Sequence, residues 1–220
     1  MTLVVHQQAD ADEEHGAAGA SERVYRGIMQ DLEAHRMVPG QRLVETELAL
    51  RFGVGRNAVR EAIQRLAVRG VVDPSRFRSP SIRQLDLAET NEILDVAAAM
   101  TGLAARLAAI AYSAARDRAA LDAAMAMLAE IGPQTEPGEF SRARRHFYRA
   151  ILAIGGNREL QRLFPAIGMH IIYSQFQSPR LQQVRMADYR AIYDAIVARD
   201  GDAAERAARG HVDHVRSLLG

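Results

Sequence analysis

Three residues in the N-terminal half, Arg56, Asn57 and Arg60, carry side chains that can read the bases of double-stranded DNA. Arginine can grip O6 and N7 of guanine with two hydrogen bonds, and asparagine can grip adenine in the same way. On a helix, the four-residue spacing of Arg56 and Arg60 puts both on one face, away from the apolar face that begins at Val59. The alternative is that these are solvated surface arginines paired with acids such as Glu61.

The elements that would present these residues are two short helices separated by a glycine turn. The spacing of apolar residues predicts helices over about 45–52 and 56–69, and Gly53-Val54-Gly55 interrupts the chain between them. A further helix from Ser21 to about Met37 precedes them and ends before Pro39-Gly40. Two short helices joined by a tight turn that contains glycine are typical of the helix-turn-helix motif.

A small β-hairpin is predicted directly after the third helix. Val71-Val72 and Ile82 are strand-like ends around a polar turn that is rich in Pro, Ser and Arg. We therefore expect residues 21–84 to form a winged helix-turn-helix domain.

The stretch from Val38 to Val72 resembles the GntR family of bacterial regulators. About fifteen positions agree with the family pattern at fixed spacing, and they are Pro39-Gly40, Leu43, Glu45, Leu48-Ala49, Phe52-Gly53-Val54, Arg56, Val59-Arg60-Glu61-Ala62 and Leu66. Gly70-Val71-Val72, at the end of this stretch, also carry the resemblance. The sequence departs from the pattern at Gly55, Ala58 and Ile63, where the family has Ser, Pro and Leu.

The resemblance implies a set of DNA contacts. The first residues of the recognition helix, Arg56, Asn57 and Arg60, would face base edges in the major groove. Thr46, at the start of the preceding helix, would contact a phosphate or a base. The wing tip of the family reaches the minor groove, and Arg78-Ser79 stand at that position here.

The rest of the chain is predicted to be all-helical. Residues 1–20 are polar and acidic without periodicity, which predicts a disordered tail. Residues 85–220 are Ala-rich and contain no strand-like run, so a six-helix bundle with a central pocket is expected. The fold class is therefore mainly α, with one small β wing. The predicted helices of the bundle run over about 87–114, 117–131, 138–154, 157–176, 180–199 and 202–219.

This C-terminal region resembles the FCD domain of the FadR subfamily over about residues 86–217. Many members of that family bind a divalent metal ion with one Asp and three His. Those four positions fall here on Arg144, Tyr148, Tyr189 and His211, so that only one His is retained. A guanidinium has no lone pair to donate and a neutral tyrosine is a poor ligand, so we predict that the metal site is lost and that no cofactor is bound.

The other histidines of this region do not restore that site. His146 lies two residues from Tyr148, on roughly the opposite face of the helix, and cannot replace it. His214 lies one turn after His211 and is predicted to be a surface residue, and His170 is predicted to be structural.

Two further pocket positions also differ from the family. They fall on Ala97 and Thr101, where the family frequently has Arg and Glu. With Arg144 and His211 as anion-binding groups and with hydroxyls from Tyr148 and Tyr189, we expect an organic, anionic effector, such as a carboxylate. The alternative is that Arg144 pairs with an internal acid and the tyrosines fill the core.

Composition limits the remaining function classes. There is no cysteine, so disulfides and thiolate sites are excluded. All 28 basic residues are arginine, and 12 of them lie in residues 21–84 against 7 acids, whereas residues 85–220 hold 16 of each sign. The positive excess lies in the segment predicted to meet phosphates. No transmembrane run or signal peptide is expected, so a cytoplasmic protein is predicted.

The sequence thus predicts a transcription regulator, not an enzyme. We expect a homodimer, joined through the helical domain, that binds a near-palindromic DNA operator and a small organic effector. Two other classes stay open, a metal-dependent helical enzyme and a DNA-binding protein without an effector. The sequence contains no HExxH, no Gly-rich phosphate loop and no G-x-S-x-G motif to favour an enzyme.

Overall fold

The computed structural model describes residues 19–74, 79–132, 135–176 and 179–219, without the side chains of residues 137, 170 and 179–184. The chain divides into two compact units, Met1–Gln84 and Leu85–Gly220, each with its own apolar core. Most of the described chain is helical, and the only β-sheet within it is a two-stranded one. The prediction of a mainly α fold with a small β wing is therefore confirmed.

The first unit is a three-helix bundle with a wing. Its elements are α1 (19–33), α2 (Glu45–Phe52), α3 (Arg56–Val68), β1 (Val72–Asp73) and β2 (Ser81–Ile82). The strands pair antiparallel with Val72 opposite Ile82, and Arg42 forms a bridge to Ser81. The segment before α2 therefore pairs with β2 of the wing through this single bridge.

The ends of α1 differ from the prediction. Residues 19–20 are helical, so the predicted disordered tail is too long by two residues, and residues 1–18 lie outside the described residues. The helix ends at residue 33 rather than near Met37, because the amides of Arg36 and Met37 both donate to the carbonyl oxygen of Asp31. This turn has His35 at φ 56° and folds Met37 back into the core, where the side chain is buried.

Close packing of α1 against α2 depends on a glycine. A Cβ atom built at Gly27 would lie 2.2 Å from Cε1 of Phe52, so no larger residue fits there without a shift of the ring. Val24, Ile28 and Leu32 of α1 are fully buried, and α3 contributes Val59, Ile63 and Leu66 to the same core. Apolar spacing along the two helices thus puts the polar residues of α3 on the outside.

The start of α3 lacks a side-chain cap. Gly55 is the N-cap residue at φ −72° and ψ 154°, and the first turn of the helix contains no acidic residue. The first amides of α3 are therefore left to solvent or to a ligand.

We expect Gly55→Ser to stabilise the first unit by about 0.5–1 kcal/mol, because a serine hydroxyl caps the helix and restricts the unfolded chain. No atom lies within 4 Å of the added Cβ atom. The measurement is the free energy of unfolding in urea, together with hydrogen exchange of the α3 amides. The control is Gly53→Ser, which should destabilise the unit because Gly53 has φ 62°. Equal effects of the two variants would contradict this account.

The second unit is a helical bundle arranged around one long helix. Its elements are α4 (Leu87–Ala111), α5 (Ala114–Ala129), α6 (Pro137–Gly155), α7 (Arg158–Leu163), a 3₁₀ turn (Phe164–Ala166), α8 (Met169–Gln175), α9 (Pro179–Val197) and α10 (Gly201–Ser217). The long helix, α4, contacts α6, α8, α9 and α10. Asp86 and Glu89 form a capping box at the start of α4. A Cβ atom at Gly102 would lie 2.9 Å from Cγ of Arg209, so the small residue lets α10 approach closely.

By length and composition alone, α4 could cross a membrane. Half of its apolar window is buried inside the unit, against the helices that surround it. Such burial is typical of the core helix of a folded domain.

One predicted helix of the bundle is wrong. The stretch 157–176 was expected to be a single helix, but it forms α7, the 3₁₀ turn and α8. Pro165 cannot donate to a helical carbonyl, and the chain turns at Gly168. A Cβ atom at Gly168 would lie 3.0 Å from Cδ1 of Ile93 on α4. The break thus lets this segment pack tightly against the central helix.

Candidate nucleic-acid interface and sensor site

The predicted base-reading residues share the exposed face of α3. Arg56, Asn57 and Arg60 are exposed, whereas Ala58 and Val59 between them are buried. The helix N-terminus carries a partial positive charge, and no acidic residue of the first turn opposes it. This end of α3 is therefore suited to approach a phosphate backbone.

Arg60 is held across the helix-turn-helix by an acid on α2. Its Nε donates to Oε2 of Glu45 at 2.8 Å, and 59% of its side chain remains exposed. Glu61, the acid named as an alternative partner of these arginines, forms no ion pair among the described residues, and Arg60 pairs with Glu45 instead. Because the bond uses Nε, the two Nη groups of Arg60 keep their donors for a further partner.

The other predicted DNA contacts lie at the start of α2 and in the wing. Thr46 is exposed in the first turn of α2, and Ser79 is exposed just before β2. Arg78 lies outside the described residues. The backbone of this region is anchored by a hydrogen bond from the Leu43 amide to the Pro80 carbonyl oxygen.

A buried carboxylate of α1 fixes α2 in place. Asp31 is 2% exposed and forms ion pairs with Arg36 at 2.8 Å and with Arg51 on α2 at 2.5 Å. The two arginine side chains are 59% and 49% exposed, so each pair joins a buried carboxylate to a solvated guanidinium, and the contact with Arg51 ties α2 to α1. The sequence signal for it was an acid directly before the buried Leu32, and sequence reasoning missed it.

In the second unit, four predicted sensor residues come together from three helices. Arg144 and Tyr148 lie on α6, Tyr189 on α9 and His211 on α10. The Arg144 guanidinium carbon lies 5.1 Å from the Tyr148 ring centre, and the ring centres of Tyr148 and Tyr189 are 6.3 Å apart. The Tyr189 and His211 rings are 4.8 Å apart. These residues therefore form one continuous cluster, which we call the sensor cluster.

Ala97 and Thr101 are the two predicted pocket positions on α4. Both are buried on α4, the helix that packs against α6, α9 and α10. The Thr101 hydroxyl donates to the carbonyl oxygen of Ala97 at 2.7 Å, within its own helix. The Thr101 hydroxyl hydrogen is therefore used within α4, and its lone pairs remain as acceptors.

Two further residues of the sensor cluster, Arg185 and Tyr173, escaped sequence reasoning. Arg185 is 5% exposed, and its guanidinium carbon lies 4.4 Å from the ring centre of Tyr173 and 5.0 Å from that of Phe140. Burial lowers the pKa of Arg185 below its ordinary value. Its position one helical turn before Tyr189 was the signal that could have placed it on the same face of α9.

An acid–imidazole network lies beside this cluster. Asp188 Oδ2 is 3.1 Å from Nδ1 of His211, and Asp188 Oδ1 is 2.8 Å from Nδ1 of His214. Burial acts to raise the pKa of Asp188, but hydrogen bonds from His211 and His214 outweigh it and lower that pKa. Burial lowers the pKa of His211 despite the nearby carboxylate. His214, predicted to be a surface residue, is half exposed but takes part in this network.

The protonation of His211 changes its predicted role. A neutral imidazole that donates from Nδ1 to Asp188 keeps a lone pair on Nε2. His211 is then an acceptor toward a ligand, rather than the extra donor that we expected from the sequence.

The residues of the sensor cluster do not fit a metal ion. Burial raises the pKa of Tyr148 and of Tyr189, so both phenols stay neutral at pH 7. Arg144 occupies the position of an anionic ligand and carries a positive charge. Among the described residues, no group of three His, Cys, Asp or Glu side chains is arranged to hold a metal ion.

A winged helix-turn-helix unit and a helical unit with a polar buried cluster define the class of regulators that couple DNA binding to a sensor domain. Two family models match this chain. The model described as "FCD domain" matches residues 92–214, and the one described as "Bacterial regulatory proteins, gntR family" matches residues 20–76. The chain therefore belongs to the GntR family and carries an FCD domain, as the sequence resemblance predicted.

Curated relatives agree with this assignment. The chain is 29% identical over 189 residues to the "Probable D-xylose utilization operon transcriptional repressor" of Paenarthrobacter nicotinovorans, with 84% of this chain and 82% of that protein covered. It is 22% identical over 199 residues to the HTH-type transcriptional repressor RspR of Escherichia coli, with 89% and 86% covered. These families and relatives are transcription regulators and not enzymes, so this chain is a transcription regulator.

Solved structures show the same fold. The Escherichia coli protein McbR/YncC superposes with a TM-score of 0.75 at 18% identity, covering 91% of this chain and 96% of that one. A GntR transcriptional regulator from Rhodococcus sp. RHA1 superposes with a TM-score of 0.77 at 20% identity, covering 91% and 97%.

Proposed function

We propose that this regulator binds a near-palindromic operator as a homodimer in the cytoplasm, and that an anionic small molecule in the sensor cluster changes its affinity for DNA. The observation that carries the effector proposal is the charge of the cluster. Within the described residues, neither Arg144 nor Arg185 forms an ion pair with a carboxylate. An internal cation without an acidic partner is costly, and an anionic ligand offsets that cost.

This observation favours effector binding over the alternative of a purely structural cluster. That alternative required Arg144 to pair with an internal acid. Asp188 is the acid nearest to His211, and its two oxygens are engaged by His211 and His214. Packing of the tyrosines in the core accounts for their apolar rings but leaves Nε of Arg144 and Nε of Arg185 without a hydrogen-bond partner among the described residues.

The proposal for DNA rests on the exposed face of α3. The N-terminal part of α3 presents Arg56, Asn57 and Arg60, and the first turn contains no acid. The wing and α2 present Ser79 and Thr46. One short helix reads only a few base pairs, so a dimer that reads two half-sites gives the required specificity. Arg78 of the wing tip is assigned to the minor groove by its position in the sequence.

The experiment that tests this function has two steps. Selection of genomic fragments on the purified protein, followed by footprinting, should yield a site with two related halves. A thermal-shift screen of carboxylate metabolites should then find a ligand that raises the melting temperature, because it binds only the folded protein. That ligand should change the affinity for the selected site. Operator binding that no stabilising ligand alters would instead favour a DNA-binding protein without an effector.

The expected dimer surface is an apolar stripe on α4. Val96, Leu103 and Ile110 are 53%, 43% and 56% exposed and repeat every seven residues along this helix. A seven-residue apolar repeat on an exposed helix face is suited to pack against a second helix of the same kind. We infer that the second copy of this chain covers the stripe.

Leu103→Arg should convert the dimer into a monomer at micromolar concentration, because it places two charges in the packed interface. Light scattering coupled to gel filtration measures the mass of each variant. Leu163→Arg is the matched control, since Leu163 is 49% exposed on α7, a different helix from the stripe, and this variant should stay dimeric. A wild-type chain that is monomeric both alone and on DNA would refute the dimer.

A further inference from the structure

We propose that the sensor cluster binds a dianion, held by the guanidinium groups of Arg144 and Arg185 without a metal ion. This inference rests on the proposed function, since it specifies the chemical class of the effector. It goes beyond it by adding Arg185 as a second anion-binding residue and by requiring two anionic groups, or one doubly charged group, on the ligand.

The two guanidinium groups share one aromatic neighbour. Each guanidinium carbon lies 4.4 Å from the ring centre of Tyr173. The two carbons are therefore no further apart than twice that distance. This separation is within the span of the two carboxylates of a short dicarboxylic acid, and a phosphate monoester presents its charge over a similarly compact group.

The hydrogen-bonding groups of this cluster are incomplete. Nε of Arg144, Nε of Arg185 and Oη of Tyr189 are inaccessible to solvent and have no hydrogen-bond partner among the described residues. Arg185 and Tyr189 are 5% and 0% exposed. Oη of Tyr173 is a fourth such atom. Buried polar atoms are nearly always hydrogen-bonded, so four such atoms in one cluster indicate a ligand that supplies the partners.

Aromatic stacking does not account for these donors. Cation–π contact with Tyr173, Tyr148 and Phe140 stabilises the guanidinium planes over the rings. The N–H groups lie in the guanidinium planes and need oxygen acceptors instead. One carboxylate can accept two parallel N–H···O bonds from one guanidinium. Two guanidinium groups therefore call for two anionic groups or for the several oxygens of a phosphate.

The remaining charged groups around the cluster do not replace the ligand. Asp188 is hydrogen-bonded to His211 and His214 and to neither arginine. His211 is neutral, because burial lowers its pKa. Its Nε2 lone pair is the acceptor that we assign to a hydroxyl group of the ligand.

The test compares dianions with monoanions of the same size on the full-length protein. Malonate, succinate, glutarate, inorganic phosphate and glucose 6-phosphate are the dianionic probes, and acetate, propionate and butyrate are the monoanionic ones. At millimolar concentration, at least one dianion should raise the melting temperature by several degrees, and the monoanions should not. Comparison of the dicarboxylates with the two phosphate compounds shows whether the site prefers carboxylate or phosphate groups.

Arg185→Met tests whether Arg185 binds a ligand or only stacks on Tyr173 and Phe140. If Arg185 serves the ligand, the variant should lose stabilisation by the dianion and should melt no lower than the wild type without ligand, because an apolar side chain replaces a buried unpaired charge. Arg149→Met, at an exposed position on α6, is the control and should keep the response. Equal stabilisation by monoanions and dianions, no stabilisation by any dianion, or an unchanged response of Arg185→Met would each overturn the proposal.

Operator binding distinguishes this proposal from the proposed function. A dianion that stabilises the wild type through Arg185 but leaves DNA affinity unchanged supports the dianion site and contradicts its regulatory role. If a monoanion alters DNA affinity in both the wild type and Arg185→Met, the proposed regulatory function stands and the proposal of a dianion site is wrong.

Discussion

Arg56→Ala and Arg60→Ala are each expected to weaken specific operator binding by about 1–3 kcal/mol, or about five- to 150-fold in Kd. The reason is the loss of a two-pronged hydrogen bond to a base from the first turns of α3. Both side chains are exposed, so folding should be preserved. Fluorescence anisotropy on the footprinted operator and on scrambled DNA measures the specific and the non-specific affinity.

Arg26→Ala is the matched control for these two variants. Arg26 lies on α1, is 71% exposed and pairs with Glu22. Its removal takes away the same charge, and so it should change only the salt-dependent binding that all DNA sequences share. If Arg56→Ala and Arg60→Ala both bind the operator as the wild type does, the assignment of the recognition face is wrong.

The ion pair of Arg60 refines this expectation. Glu45→Gln should weaken operator binding less than Arg60→Ala, because it loosens the orientation of the guanidinium but keeps its donors. A loss as large as that of Arg60→Ala would show that Glu45 has a role beyond this contact.

Arg144→Ala is expected to abolish the response of operator binding to the effector while the affinity of the free protein for DNA is kept. Arg144 lies on α6 in the second unit, whereas the DNA-binding residues lie in the first. Loss of the guanidinium removes the charge that pairs with the anion and a two-pronged hydrogen bond to it. The measurement is a titration of the operator complex with the ligand found by the thermal-shift screen.

The stability of the cluster needs its own control in this experiment. Arg144→Met keeps an unbranched side chain against Tyr148 and Tyr173, and it should also lose the response. Arg149→Ala on the exposed face of α6 should retain it. A full response in Arg144→Met would place the effector elsewhere, and stoichiometric zinc, nickel or manganese bound near His211 would overturn the metal-free site.

The DNA-binding unit could be predicted from the sequence because its information is local. The apolar spacing of Val59, Ile63 and Leu66 gives α3 an inner face, and this alone places Arg56 and Arg60 outside. Gly53 lies at positive φ in the turn, where glycine has no steric penalty. Such signals act over three or four residues, so no tertiary information is required.

The helical unit could be predicted less completely, because its site joins residues that are distant in the chain. The positions of Arg144, Tyr148, Tyr189 and His211 followed from the family resemblance, and the structure brings them together. Helical propensity did not reveal the break at Pro165 and Gly168, because Gly168 serves a contact with Ile93 on another helix.

By itself, the sequence determined the class of protein, the order of its elements and the exposed face of α3, because periodicity and turn residues act locally. Only the tertiary structure decided which polar groups meet. It paired Asp31 with Arg51 and Arg60 with Glu45, and it brought Arg185 on α9 to within 4.4 Å of Tyr173 on α8. The physical reason is that each of these contacts joins two different helices, and no local sequence pattern encodes how those helices pack.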